Sequence, residues 1–311
     1  MTTYIIKRML QAIVVIVGVM MGTFFLLQLT GDPARAMLPL EADPEAVEQM
    51  RDKLGLHEPL PVQFARYMAR AVQGDFGNSL SHKHIPAREI VFSRLPATLH
   101  LAVTVWVASV TFSLFLGIIA ALNRGGWLDN VSMVIAMLGQ CIPSFWLGLM
   151  LILLFAVGLH WLPTSGRDGM NVRYLILPGL TLSAPFTARM TRVVRSSMLE
   201  VLGKDYVRTA HAKGLARRVV VLRHALRNVA IPLVTLFAMD FGSLLSGSII
   251  TETIFGWPGV GLLANDAIVM RDFPVVQTIV FYVATGFVLI NLVVDILYAA
   301  LDPRVRLGGA A

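Results

Sequence analysis

The sequence predicts an all-α integral membrane protein with six transmembrane helices and both termini in the cytoplasm. Of its 311 residues, 56% are hydrophobic and only 14% are charged, and the mean hydropathy is +0.70. A soluble domain carries about 25% charged residues. Apolar runs near the length of about 20 residues that a span requires are separated by polar segments. Positive charge is concentrated in the short loops on one side, which identifies that side as cytoplasmic.

The first predicted helix is Met9–Leu29, which follows the basic residues Lys7 and Arg8. A signal peptide has a shorter apolar region of about 7–15 residues and a small-residue cleavage site. Here Gly31-Asp32-Pro33 follows instead. We therefore expect residues 1–30 to form a retained transmembrane helix.

Residues 31–96 form the one extended hydrophilic region. Its positive and negative charges nearly cancel, and Pro44–Leu54 and Pro61–Ala71 are compatible with helices. The region follows a helix that leaves the cytoplasm, so we expect a small periplasmic helical insertion. It has too few apolar residues to fold as an independent domain.

Residues 97–301 are predicted to form a core of five further spans, followed by a cytoplasmic tail at 302–311. Pro143 lacks a backbone donor, which predicts a kink or break near Gln140–Ser144. The fourth span is short, and the arginines that follow it can snorkel to the inner surface. The five predicted spans are Ala97–Leu122, Val131–Leu159, Leu175–Ala188, Val229–Thr251 and Val275–Leu301.

A basic segment, Asp205–Asn228, lies in the cytoplasmic stretch 196–228 between the fourth and fifth spans. Ten of the 26 Lys and Arg residues fall between Arg189 and Arg227, so the excess charge is local and does not indicate nucleic-acid binding. Its arginines are too costly to bury in a bilayer, yet it is too apolar for a simple solvated loop. It is interpreted either as a basic loop that binds anionic lipid or as a docking surface for a partner.

Two features of this segment favour docking. Apolar residues recur with helical spacing at Val207, Ala210 and Leu215, and Gly214 allows one short helix to end and another to begin. Docking of such a helix into a groove of a partner is a common mode of recognition.

No catalytic or metal site is predicted. The chain contains no Gly-x-x-x-x-Gly-Lys-Ser/Thr phosphate loop and no His-Glu-x-x-His motif. Cys141 is the single cysteine, and His82 and His84 are best interpreted as solvated residues. Ser246-Gly-Ser248 does not supply the motif of an intramembrane serine protease.

Four residues in or near the spans are candidates for a pathway or a gate. Asp240 and Asp295 lie within predicted helices, where a carboxylate faces either a bundle interior or a water path, so each is structural or functional. Trp257, in the turn Trp257-Pro258-Gly259, is either an interfacial anchor or part of an external gate. Glu252 opens the same extracytoplasmic segment.

The blocks Arg208-Thr-Ala-His-Ala-Lys-Gly214 and His224-Ala-Leu-Arg-Asn228 resemble the coupling motif of permease subunits of ATP-binding-cassette importers. Ala210, Gly214 and Leu226 match the general motif. Arg208, Thr209, His224 and Arg227 depart from it, as in the peptide and nickel subgroup. Further blocks of the first permease subunit of that subgroup are Gly31-Asp-Pro33, Gly74-Asp-Phe-Gly77, Thr251–Gly261, Arg271–Gln277 and Asn291–Tyr298.

The resemblance implies the type I importer permease fold, in the inner membrane of a bacterium. It also implies partners: a second homologous permease, two ATPases that bind ATP and Mg²⁺, and an extracytoplasmic substrate-binding protein, with membrane lipid around the spans. This chain itself would hold no cofactor and would not be an enzyme. The residues expected to contact the ATPase are Arg208, Thr209, Ala210, Lys213, Gly214, Leu215, His224 and Leu226.

The function that the resemblance implies is passage of dipeptides or oligopeptides by alternating access, driven by the partner ATPases. The same architecture serves glutathione or nickel in related systems, and both remain open. Two other classes also remain: a transporter driven by an ion gradient, with Asp240 and Asp295 as coupling carboxylates, and a membrane scaffold that transports nothing.

Overall fold

Helices make up almost the whole chain. The structure is a computed structural model that describes residues 2–30, 33–36, 38, 43–82, 85–169 and 171–301. Within these ranges the only strand-like pairing is an isolated bridge between Asn78 and Pro86, so the predicted all-α class is confirmed. His84, the residues Gly31-Asp32 and the predicted tail 302–311 lie outside the described residues.

The helices are α1 Thr2–Thr30, α2 Pro33–Ala36, α3 Pro44–Leu54, α4 Leu60–Val72, α5 Ala87–Leu122, α6 Trp127–Cys141, α7 Ser144–Leu151, α8 Val172–Leu202, α9 Asp205–Ala212, α10 Arg217–Val219, α11 Leu226–Gly247, α12 Ile249–Ile254, α13 Val260–Val269 and α14 Phe273–Leu301. Two π-helical segments, Ile152–Gly158 and Val220–Ala225, continue α7 and precede α11.

Among the described residues, three helices can each cross a membrane by length and hydropathy: Ile6–Leu26 in α1, Ala87–Leu122 in α5 and Phe273–Ile296 in α14. The bent pairs Trp127–Cys141 with Ser144–Gly158 and Arg217–Ala230 with Leu233–Leu244 raise the number to as many as five. Helix α8 is not among these candidates, because arginines and polar residues dilute its apolar sequence. The count of six spans and the cytoplasmic position of both termini therefore stay predictions.

The predicted break at Pro143 is present, and it is larger than a kink. Helix α6 ends at Cys141, Ile142 is extended with ψ 123°, and α7 begins at Ser144. The two helix axes differ in direction by 103°. Proline disfavours the helical conformation in the residue before it, which explains why the chain leaves the helix at Ile142.

Two helices differ in extent from the predicted spans, whose boundaries in the membrane stay predictions. Helix α8 continues past the predicted fourth span, Leu175–Ala188, to Leu202, and the arginines in this extension have partners on neighbouring helices. The fifth was predicted at Val229–Thr251, but α11 ends at Gly247, and a separate helix, α12, follows Ser248.

The chain divides into two compact units. The first comprises Met1–Thr98 and Pro258–Leu292. Its apolar core joins Met20 of α1 and Val91 of α5 to Leu263 of α13 and Ile279 of α14. The hydrophilic region therefore does not fold alone: Phe76 and Ala71, from that region, are buried in this shared core.

The second unit comprises Leu99–Trp257 and the chain from Val293 onward. Helix α8 packs against α6, α7, α11 and α12. At the crossing of α5 with α8, a Cβ on Gly117 would lie 2.6 Å from Val194 Cβ and 2.9 Å from Thr191 O. Only glycine permits this approach, in the way that small residues bring membrane helices together.

Candidate functional site

The basic segment folds as two helical pieces joined at Gly214. Helix α9 ends at Ala212, and Gly214 two residues later has φ +74°, the left-handed conformation that glycine adopts without strain. The Gly214 amide donates to His211 O at 2.9 Å and the Leu215 amide to Ala210 O at 3.4 Å. These two bonds form a Schellman motif, which satisfies the last carbonyls of α9. The predicted break at this glycine is therefore confirmed.

The apolar face of α9 packs against its own chain. Val207 and Ala210 are 1% and 5% exposed, and they form a small core with Val220, Val201 and Leu202. The helical periodicity read from the sequence thus explains how α9 is held in place. What α9 offers to another protein must come from its other face.

That other face is exposed and basic. Arg208, Thr209, Lys213 and Gly214 are all exposed, and Leu215 is 38% exposed. Arg208 has only a distant ion pair with Asp205, at 3.7 Å, in which both side chains are solvated. Tyr206, Val219 and Leu222 add exposed apolar area nearby. The segment therefore presents cations around a few apolar side chains, on a framework fixed from within.

The second half of the segment is anchored to its neighbours. The Asn228 amide donates to Tyr206 Oη at 3.1 Å and to His224 O at 2.7 Å. Arg217 donates to Leu122 O at the end of α5, at 2.8 Å. His224 and Leu226 are half-buried, so their part in any contact is smaller than that of the exposed α9 face.

Three arginines on α8 pair with neighbouring helices. Arg189 bonds to Asp240 of α11, and Arg192 bonds to the side-chain oxygen of Gln140 on α6. Arg195 contacts Asp129 of α6 with two bonds of 2.6 and 2.7 Å. Snorkelling alone therefore does not describe these arginines, because each has a specific partner.

Asp129 was not singled out from the sequence. It is 2% exposed and also accepts the Gly125 amide at 2.9 Å, so it fixes both the α5–α6 turn and Arg195. A bidentate arginine–carboxylate pair is strong and directional. Its position three residues after Gly126, in the first turn of a helix, was a usable signal for a capping role.

Asp240 is buried, with 10% of its side chain exposed, whereas Arg189 is 48% exposed. Among the described residues, none donates a hydrogen bond to Asp240 Oδ2. The guanidinium of Arg189 also lies over the ring of Phe186, 5.6 Å from its centroid. The sequence located the carboxylate, but it did not reveal its partner on α8.

Glu252 and Trp257 lie together in a buried corner of the second unit. Both are 0% exposed. Glu252 accepts from Ser248 Oγ at 2.9 Å, and its carbonyl accepts the Trp257 amide at 2.8 Å. Arg167 lies 5.6 Å from the Trp257 ring centroid. A completely buried indole cannot reach lipid headgroups, so the interpretation of Trp257 as an interfacial anchor is wrong.

Asp295 is half-buried in α14 and interacts with a neighbouring group. In the part of the chain that the structure describes, no group of three or more His, Cys, Asp or Glu residues could hold a metal ion. The described histidine of the close pair, His82, contacts Ser81 Oγ through Nδ1 at 3.0 Å.

A further buried carboxylate, Asp272, organises the first unit and was overlooked as a site. Its Oδ2 accepts the hydroxyls of Ser79 and Ser81, at 2.5 and 2.6 Å, and the Ser81 amide at 3.0 Å. Burial raises the pKa of Asp272, but these bonds outweigh it and hold the pKa below its usual range. Asp272 thereby joins the loop before α5 to the corner before α14.

Residues 113–307 match the family described as the inner membrane component of binding-protein-dependent transport systems, and residues 1–102 match its N-terminal region. The chain is 47% identical over 307 residues to the glutathione transport system permease protein GsiC of Escherichia coli strain K12, covering 98% of this chain and 99% of the relative. GsiC of Salmonella paratyphi A is 46% identical over 308 residues, with the same coverage.

Two solved structures share the fold. An inward-facing MetNI methionine ABC transporter has a TM-score of 0.53 at 18% identity, covering 68% of this chain and 96% of that chain. An amino acid ABC transporter with histidines has a TM-score of 0.51 at 13% identity, covering 68% and 94%. Together with the match to the family over most of the sequence, these results show that the chain belongs to the inner-membrane permease components of binding-protein-dependent transport systems, as a permease of a type I ATP-binding-cassette importer.

Proposed function

We propose that this chain is the permease subunit of an importer for small peptides, with glutathione as the first candidate substrate. The observation that carries this proposal is the 47% identity to a glutathione permease over 98% of the chain. Glutathione belongs to the same chemical class as the dipeptides and oligopeptides expected from the sequence. Membership of a family that depends on binding proteins gives the ion-gradient and scaffold alternatives no support.

The exposed face of α9 is the proposed contact for an ATPase. Arg208, Thr209, Lys213 and Leu215 would meet the partner, and Gly214 would keep the helix end in place. Ala210 would act from within by holding α9 against Val220, with His224 and Leu226 at the margin of the contact. ATP and Mg²⁺ would bind in the ATPases, and this chain would hold no cofactor.

Transport would follow from a change of state in the partners. Closure of two ATPases around ATP would bind one conformation of the permeases more tightly than the other, which shifts the population between inward-facing and outward-facing states. A second, homologous permease would complete the pathway in the inner membrane of a bacterium, surrounded by lipid. Asp240, Glu252, Trp257 and Asp295 remain candidates for pathway or gate residues.

Uptake by the reconstituted complex tests this function. The chain would be purified with its second permease, ATPases and binding protein and placed in proteoliposomes containing ATP. Accumulation of radiolabelled glutathione is expected only with ATP inside and loaded binding protein outside. Uptake driven by a proton or sodium gradient without ATP, or transport of nickel but not of glutathione, would contradict the proposal.

A further inference from the structure

Helix α8 exposes apolar residues near its start and polar residues further along. Near its start, the exposed apolar residues are Ile176 and Leu180, which the helical repeat places on the opposite side from Arg189. Further along the helix, the exposed residues are polar, namely Arg189, Arg192, Ser196 and Glu200. Their spacing of three and four residues places them on one side of the helix. These four residues are called the polar stripe below.

Arg189 and Arg192, the part of the polar stripe nearest the start of α8, lie far from the helix end. Arg189 is roughly 20 Å of helix rise from Leu202, and Asp240 is roughly 20 Å from the start of α11 at Leu226. Asp240 also falls within the predicted fifth span. An arginine that pairs with a carboxylate inside a predicted span faces a bundle interior or an aqueous path and avoids lipid. The failure of α8 to qualify as an apolar span agrees with a helix that faces a polar space.

The charges around these arginines do not cancel. Arg189 is matched by Asp240, and Arg195 by Asp129. Arg192 bonds to the neutral side chain of Gln140, and no carboxylate among the described residues forms an ion pair with it. The cluster of Arg189, Asp240, Arg192 and Gln140 therefore carries one positive charge in excess.

Gln140 also controls the position of this charge. It lies one residue before the end of α6 at Cys141, beside the break at Pro143. The amide oxygen accepts one edge of the guanidinium, and the other donors of the planar arginine fork stay free for a second acceptor. An exposed, oriented and uncompensated guanidinium is well suited to bind a carboxylate.

We propose that Arg192 is a specificity-determining residue that binds a carboxylate of the peptide during its passage, with the Arg189–Asp240 pair beside it. This inference rests on the proposed function and names the chemistry that the pathway selects. Glutathione carries two carboxylates and a single ammonium group at neutral pH, so its net negative charge complements the cluster. A nickel cation would be repelled by the same charge.

The test compares glutathione with its analogue in which the glycine carboxylate is an amide. The complete complex is reconstituted with the binding protein saturated by each peptide, after its affinity for both has been measured separately. Transport rates then report the permease. We expect the unmodified chain to transport glutathione about tenfold faster than the amide, and Arg192→Gln to remove this preference by slowing glutathione selectively. Arg192→Lys, which keeps the charge, should retain most of it.

Arg94→Gln is the matched control, because it removes an exposed positive charge from α5, outside the polar stripe. It should leave the preference intact. The inference is overturned if the unmodified chain transports both peptides equally, if Arg192→Gln keeps the preference, or if it slows both peptides equally. It is also overturned if Arg192→Gln loses co-purification with the second permease, because the stripe would then be a subunit contact. Absence of any ATP-dependent glutathione uptake by the unmodified complex would instead reject the proposed function.

Discussion

The left-handed conformation of Gly214 offers a direct test of the α9 contact. A Cβ added at this position would meet nothing within 4 Å, so substitution causes no steric clash. The remaining cost is that of φ +74°, which is about 1–2 kcal/mol for an ordinary L-residue and more for a β-branched one. Asparagine tolerates this conformation best. Gly214→Asn, Gly214→Ala and Gly214→Val therefore form a graded series in which backbone strain is the main variable.

A cost of 1–2 kcal/mol shifts an equilibrium by a factor of about 5–30. Here the equilibrium is between the Schellman-capped end of α9 and an open end with unsatisfied carbonyls. If α9 transmits the ATPase movement, fewer peptide molecules will cross per ATP hydrolysed. We expect this ratio to fall in the order glycine, asparagine, alanine, valine, while the complex still assembles and hydrolyses ATP.

Measurements of uptake and phosphate release on the same proteoliposomes give the ratio. Gly203→Ala is the matched control, because Gly203 also follows a helix but has φ −82°, and its added Cβ would make only ordinary contacts at 3.5 Å. It should behave like the unmodified chain. An unchanged ratio in Gly214→Val, or equal losses in Gly203→Ala and Gly214→Ala, would refute the proposed role of α9.

Four further predictions concern stability and topology. Asp129→Asn should lower the melting temperature in detergent more than an exposed substitution does, since loss of one partner of a buried pair costs about 3 kcal/mol; a double variant with Arg195→Gln should be no worse. The depressed pKa of Asp272 means that its stabilisation is present above the unfolded pKa of about 4 and is lost as pH falls through the folded pKa. The melting temperatures of the unmodified chain and Asp272→Asn should therefore converge as the pH is lowered from 6 toward about 3, and a constant gap would contradict this. Gly117→Ala should also lower the melting temperature, because the helices cannot keep their separation. Arg217→Cys should react with an impermeant thiol reagent only from the cytoplasm, and labelling from outside would reverse the predicted topology.

The points where helices end or change direction were predictable from the sequence when they depend on a single residue. Pro143 predicted the end of a helix, and Gly214 predicted a change of direction, because both act through their own backbone dihedral angles. The size of the bend at Pro143 was not predictable. Its 103° angle is set by the packing of α6 and α7 against α8, and no local rule contains that information.

Patterns with two physical solutions were resolved only by the structure. The spacing of Val207 and Ala210 indicated that one face of α9 is covered, but not whether a partner or the chain itself covers it. The arginines of α8 were similarly ambiguous, because snorkelling and pairing require the same residue type. Arg189 and Asp240 are 51 residues apart in the sequence, and a single sequence carries no signal that joins them.

The two sites differ in how they use positive charge, and this difference separates their roles. On α9 the cations are solvated, so each adds little energy, and a partner would gain mainly from the apolar side chains among them. On α8 the polar stripe lies beside a buried carboxylate, where solvent screening is weaker and a single excess charge has a larger effect. Substitutions on α9 should therefore change how many peptides move per ATP, whereas substitution of Arg192 should change which peptides move. Suppose that Arg192→Gln changed the number of peptides moved per ATP but left the peptide preference unaltered. The arginines of the polar stripe would then serve the same coupling function as the cations of α9.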